Sequence, residues 1–155
     1  MSITYVSGDP LLTSAQVLAF GHNARGRSEM GDLETALFTR YPAAFSTYSR
    51  RCHSGRLGAG EMWIWRESQP MLGFMVVRAT SVGATRVRYV EAIALTLARD
   101  FQRENIRSIA IAPLGSREEW PDLRSVLDHW LSRSSLSCVV YEQYLTGVQA
   151  ESDGG

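Results

Sequence analysis

The 155-residue chain contains no lysine; all sixteen of its basic side chains are arginine. That absence excludes a lysine nucleophile, a Schiff base and the lysine of a nucleotide-binding P-loop, because each needs a primary amine. Net charge is also lacking, since sixteen acidic residues balance the arginines. No whole-molecule field then draws the chain to nucleic acid or to an anionic membrane, and any phosphate recognition must be local. The only cysteines, Cys52 and Cys138, belong to no CxxC pair, and reduced thiols in a cytoplasmic protein are expected. No stretch approaches the roughly 18 apolar residues of a membrane span, and the first ten residues carry Asp9 and Pro10 rather than a basic-then-apolar run. Neither an export signal nor a membrane partner is expected. The three histidines, His22, His53 and His129, have no HxxxH or Cys/His spacing, so neither a metal nor a cofactor is expected.

What is present suits one well-packed domain: 45% of the residues are apolar and 10% aromatic, at a length that can bury a substantial core. The domain is expected over residues 1–148, with a loose tail over 149–155. Ile3 to Val6 reads as a strand that stops at Ser7-Gly8-Asp9-Pro10, and Gln16 to Gly21 as a second that enters a long polar loop, His22 to Gly31. Helical spacing begins at Asp32, which can act as an N-cap, and Pro42 divides this region into two short helices. Glu61 to Arg66 and Met71 to Arg78 read as a hairpin. Tyr89, Ile93, Leu97 and Phe101 recur every four residues within an amphipathic helix over 86–103. The continuous apolar run Ser108 to Ala112 predicts a strand buried on both faces. A helix with Leu123, Val126, Leu127, Trp130 and Leu131 on one side follows, then a last strand over 137–144. The four tryptophans are expected to serve packing. This order predicts a three-layer α/β/α sandwich around a mixed, mostly parallel sheet.

In open α/β sheets ligands bind beyond the carboxyl ends of the strands, where helix N-termini and loop amides favour anions. Three segments occupy such places: Gly8-Asp9-Pro10, Gly21 to Gly31, and Pro113 to Ser116. The runs ITYVSGDPLL, LAFGHNARG, MGDLETALFTRYPAAFSTYSRRCHSGRLGAGEMWIW and RSIAIAPLGS, over roughly residues 3 to 144, resemble the macrodomain family. Within it the chain is similar to the branch of terminal ADP-ribose glycohydrolases and DNA-ADP-ribosyl glycohydrolase antitoxins.

The resemblance implies an ADP-ribose pocket in which Asp9 accepts a hydrogen bond from the adenine amino group and Asn23 binds the distal ribose. It places Gly31 in a first phosphate loop, Leu114, Gly115 and Ser116 in a second, and Tyr141 near the adenosine. Each residue also has a plainer reading, Asp9 and Asn23 as turn formers and Tyr141 as core. Four departures stand against the family pattern. Pro10 has no N–H to give the adenine ring. The position of the branch's catalytic lysine falls near Arg78, which stays protonated. The first loop keeps only Gly31, beside Asp32 and Glu34, and the second passes straight from Gly115-Ser116 to Arg117-Glu118-Glu119. A carboxylate route to catalysis remains, with Glu34 or Asp32 as general base; the competing reading is that both simply favour the start of a helix. His22 could orient a sugar or shuttle a proton, and Arg25 and Arg27 could hold a diphosphate in bidentate fashion.

The function expected is binding of ADP-ribose or ADP-ribosyl groups, with hydrolysis of ADP-ribosyl linkages, or of ADP-ribose phosphate, by a lysine-independent route. The partners expected are ADP-ribose or a related nucleotide and an ADP-ribosylated protein or nucleic acid. The alternatives are a degenerate macrodomain serving as a non-catalytic protein-interaction module, or a pocket for another NAD-derived nucleotide.

Overall fold

The computed structural model describes residues 3–150. Its elements, in order, are β1 (Ile3–Gly8), a 3-10 turn (Pro10–Leu12), β2 (Val17–Asn23), α1 (Asp32–Arg40), α2 (Pro42–His53), β3 (Met62–Trp65), β4 (Met71–Arg78), α3 (Val87–Asp100), β5 (Ser108–Ile111), α4 (Trp120–Leu131) and β6 (Ser137–Tyr144). The six strands form one sheet in the order β1-β6-β5-β2-β4-β3. All neighbours pair in parallel except β3 and β4, whose Trp63↔Phe74 register is antiparallel as the hairpin reading requires.

Alternation along the central strands sends side chains to two separate cores. On one face Val17, Ala19, Ile109 and Ile111 pack with Val90, Ile93, Ala94 and Leu97 of α3 and with Leu123, Leu127 and Leu131 of α4. On the other, Leu18, Phe20, Phe74 and Ala110 pack with Leu33 and Leu37 of α1 and with Ala44 and Tyr48 of α2. The result is the three-layer sandwich, with α3 and α4 below the sheet and α1 and α2 above it. β5 is buried on both faces because Ile109 and Ile111 point one way and Ala110 the other, which explains why its sequence is apolar without alternation.

Several boundaries differ from the sequence reading. β1 runs through Gly8 and β2 through Asn23, so Gly8, His22 and Asn23, expected in turn or loop, are strand residues. Gly31, not Asp32, is the N-cap of α1, with φ 135° and ψ 160°, and Asp32 is the first helical residue. α3 ends at Asp100 with Phe101 as its C-cap, and its buried stripe is Val90, Ile93, Ala94 and Leu97. The four-residue spacing continues to Phe101, but Asn105 at φ 60° turns the chain toward β5. Ala150 is buried at 2% exposure, against Gly8 and the upper core; the remainder of the expected tail, 151–155, lies outside the described residues.

Candidate functional site

A cavity of about 750 Å³ opens where β2, β4 and β5 end side by side, the location that parallel topology favours for ligands. Its floor is Phe20, Gly21 and His22 of β2. One wall is helical: Leu33, Glu34, Leu37 and Phe38 of α1, and Pro42, Phe45, Ser46, Ser49 and Arg50 of α2, in each case residues three and four apart on one face. The opposite wall comes from three loops and the end of β4, and carries Arg27, Glu29, Arg78, Thr85, Gly115, Ser116 and Glu119. Phe20, Phe38 and Phe45 make the helical side aromatic, with Phe45 stacked on Phe20 at 5.6 Å and Phe38 edge-on to it. The helical wall therefore sets aromatic rings beside the polar Glu34, Ser46, Ser49 and Arg50, and the opposite wall is densely charged.

A β-bulge shapes the charged side. The register of β2 on β4 slips between His22 and Asn23, so His22 faces Val76 while Asn23 faces Arg78, and a bulge of this kind redirects the strand end. Gly21 makes the approach possible, since a Cβ there would lie 2.8 Å from a Val77 methyl and 3.4 Å from Nη2 of Arg78. Arg78 reaches past it to pair with Glu29, their side chains only 13% and 9% exposed. Nε and Nη2 of Arg78 donate to Thr85 Oγ1 at 3.4 and 3.3 Å. The Thr85 N–H donates to Glu119 Oε2 at 3.2 Å, and the Ser116 N–H to Glu119 Oε1 at 2.7 Å. Ser116 Oγ in turn accepts from the Glu119 N–H at 3.2 Å, which completes a reciprocal capping box ahead of α4. One chain of polar contacts thus runs Glu29, Arg78, Thr85, Glu119, Ser116 and ties all three loops together.

Of the residues the family resemblance points to, Glu34, Gly115 and Ser116 line the cavity. The others lie elsewhere. Asp9 is 6% exposed and outside the lining; its Oδ1 accepts from the Leu11 N–H at 3.0 Å and its Oδ2 from the Gly147 N–H at 2.8 Å. Asn23 is fully buried and spends its amide on the loop that follows. Its Nδ2 donates to the Arg27 carbonyl and to Glu29 Oε2, both at 2.9 Å, and its Oδ1 accepts from the N–H groups of Arg25 and Arg27, both at 3.1 Å. Two donors and two acceptors are all that an asparagine amide offers. Leu114 and Tyr141 are core residues, at 2% and 0% exposure. Gly31 and Asp32 are exposed beside the mouth. Glu34 is half-buried, its carboxylate folded across Gly31 where a Cβ would collide with it.

His22 is 4% exposed beneath Phe45, Tyr48 and Phe74. Burial lowers its pKa, opposed by the nearby Glu29 carboxylate. Its Nδ1 accepts from the Asn23 N–H at 2.9 Å, so the neutral ring carries its proton on Nε2. Burial raises the Tyr48 pKa above its ordinary value; its hydroxyl donates to the Asn23 carbonyl at 2.7 Å.

Sequence reasoning did not single out Glu29, Thr85 or Glu119. Glu119 could have been found, because Ser116-Arg117-Glu118-Glu119 carries the S-x-x-E spacing of a capping box. Glu29 had no comparable signal, its partner Arg78 being 49 residues away. Among the described residues, no group of three or more His, Cys, Asp or Glu side chains could hold a metal, and no helix is long and apolar enough to cross a membrane.

The architecture is that of a macrodomain. The chain superposes on the macrodomain of Thermus aquaticus DarG with a TM-score of 0.81 at 23% identity, covering 90% of this chain and 97% of that one. It superposes on Thermosipho africanus DarTG in complex with ADP-ribose with a TM-score of 0.83 at 16% identity, over 96% and 43% of the two chains. In sequence it is similar to the DNA ADP-ribosyl glycohydrolases of Mycobacterium tuberculosis and Mycobacterium bovis, with 27% identity over 133 residues, 81% of this chain. The chain spans 37% of the length of those curated relatives. No family model matches it.

Proposed function

We propose that the cavity binds ADP-ribose or an ADP-ribosyl group. The observation that carries this reading is the lining at the ends of β2, β4 and β5, with aromatic rings and Arg50 on the helical wall opposite Arg27 and the loop residues Gly115 and Ser116. A ligand that joins a planar base to sugars and a diphosphate is amphipathic in the same sense. The volume falls within the roughly 300–1,000 Å³ of small-molecule sites. Arg27 and Arg50 are the diphosphate contacts this assigns, Gly115 and Ser116 supply a second loop, and Asn23 and Leu114 support Arg27, Glu29 and Gly21 from behind. The relatives' names add to the case, since one is a complex with ADP-ribose and two are DNA ADP-ribosyl glycohydrolases. A thermal-shift titration tests it: ADP-ribose raises the melting temperature more than ribose or AMP does, by mass action on the folded state. No shift with ADP-ribose at millimolar concentration sinks the reading.

A second reading, hydrolysis of an ADP-ribosyl linkage, is favoured by Glu34. Its carboxylate lines the cavity half-buried with no hydrogen bond or ion pair to another described residue, whereas Glu29 is bound to Arg78 and Asn23, and Asp32 is outside the lining. Glu34 is the group left to take a proton from an attacking water. ADP-ribosylated DNA or protein is the macromolecular substrate this implies. Glu34→Gln retains ADP-ribose binding and abolishes release of ADP-ribose from an ADP-ribosylated oligonucleotide; unchanged turnover excludes the carboxylate route. With both cysteines free, the cytoplasm, where NAD-derived ligands are made and consumed, is the compartment we assign.

A further inference from the structure

The polar wall carries an internal anion at its loop amides. Glu119 points its carboxylate into the cavity lining and holds two backbone N–H groups from different loops, Ser116 at 2.7 Å and Thr85 at 3.2 Å. Gly115, at φ +69°, lies directly against it, and a Cβ there would sit 2.9 Å from Glu119 Oε1. These amides are donors of the kind that cradle phosphate oxygens. They are engaged by an internal anion whose charge also opposes a second anion nearby.

We propose that Glu119 sets the affinity of the cavity for phosphate: its carboxylate competes with the ligand's phosphate for the Ser116 and Thr85 amides. The inference rests on the cavity accepting a phosphate-bearing ligand. The competition lowers the affinity of every phosphate ligand by the same factor. A lone phosphate must displace Glu119 with little else to hold it, whereas a ligand that also fills the aromatic wall and meets Arg27 and Arg50 brings enough further contacts to do so. At a given concentration the weakly held inorganic anion is thereby kept out, while the larger nucleotide still binds.

The test is Glu119→Gln, which removes the charge and one of the two acceptor oxygens while leaving the backbone N–H that donates to Ser116 Oγ. Calorimetric titration of inorganic pyrophosphate and of ADP-ribose, into wild type and variant, is expected to show each binding the variant about tenfold more tightly, the value of one hydrogen bond to a charged group regained. Ribose binds both proteins alike. Equal or weaker pyrophosphate binding by the folded variant overturns the proposal. Should the variant fail to fold, the wild type still decides: on addition of ADP-ribose the Ser116 and Thr85 amide resonances shift with saturation, and their remaining unmoved while other cavity amides shift overturns it. ADP-ribose failing to bind either protein while pyrophosphate binds the variant more tightly refutes the ADP-ribose reading and keeps this one. ADP-ribose binding both proteins equally does the reverse.

Discussion

Replacing Asn23 by alanine distinguishes a ligand contact from a structural hub. The substitution deletes four hydrogen bonds, three with neutral backbone partners and one with the Glu29 carboxylate. Neutral bonds contribute roughly 0.5–1.5 kcal/mol each and a charged one about 1.5–3. The partners are only partly buried, so water recovers some of this, and a net loss of about 2–4 kcal/mol follows. Against a total of roughly 5–15 kcal/mol for a domain, that is a large fraction. Urea denaturation of Asn23→Ala should show a lower midpoint with an unchanged slope, because the site is local and the surface exposed on unfolding is the same. Amide exchange should accelerate over residues 24–31, which lose their anchor. A variant within 0.5 kcal/mol of wild type that loses only ligand affinity would refute the hub and restore Asn23 as a direct sugar contact.

Arg78→Met strands the Glu29 carboxylate in a site where its side chain is 9% exposed; breaking a buried pair from one side costs about 3–5 kcal/mol, read as a lower denaturation midpoint, and the double variant Arg78→Met, Glu29→Gln should recover part of it. Gly115→Ala should destabilise the domain by more than about 1 kcal/mol, because the residue lies at φ +69° and its Cβ would meet Leu123 Cδ1 at 2.7 Å; equal stability by denaturation would contradict the loop geometry. His22 sets a pH dependence. Its folded pKa lies below the ordinary 6.5, so as pH falls below that value the unfolded chain takes up a proton that the folded one resists, and stability declines until the folded pKa is passed. His22→Asn, which keeps an acceptor for the Asn23 N–H, should lose less stability between pH 7 and pH 5 than wild type does.

Much of the fold was legible in the chain because the signals were local. The apolar run at Ser108 to Ala112 announced a strand with two buried faces, Pro42 marked the break between α1 and α2, and Glu67 to Pro70 marked the hairpin. α3 was overextended because Phe101 continues the spacing of Ile93 and Leu97, and spacing alone carries no information about the turn at Asn105. The site was legible only in part. The loop expected from Gly21 begins only after Asn23, because β2 takes in Gly21, His22 and Asn23; Pro113 to Ser116 does follow β5, and Glu34, Gly115 and Ser116 line the cavity. What could not be read was who satisfies whom. Asn23 turns inward because Arg25, Arg27 and Glu29 come back to it within six residues. Glu29 meets Arg78 where β4 bulges at Val77 and Gly21 leaves room for the arginine. Such pairings depend on register and burial, which residue type and spacing do not encode.

The central claim, that the cavity at the ends of β2, β4 and β5 takes an ADP-ribosyl ligand, is tested most directly by a crystal structure of the protein soaked with ADP-ribose. The account predicts one ligand in this cavity, its base or sugar against Phe38 and Phe45 and its diphosphate within hydrogen-bond distance of Arg27 or Arg50. An empty cavity at millimolar ligand, or a ligand bound on another surface, would contradict it.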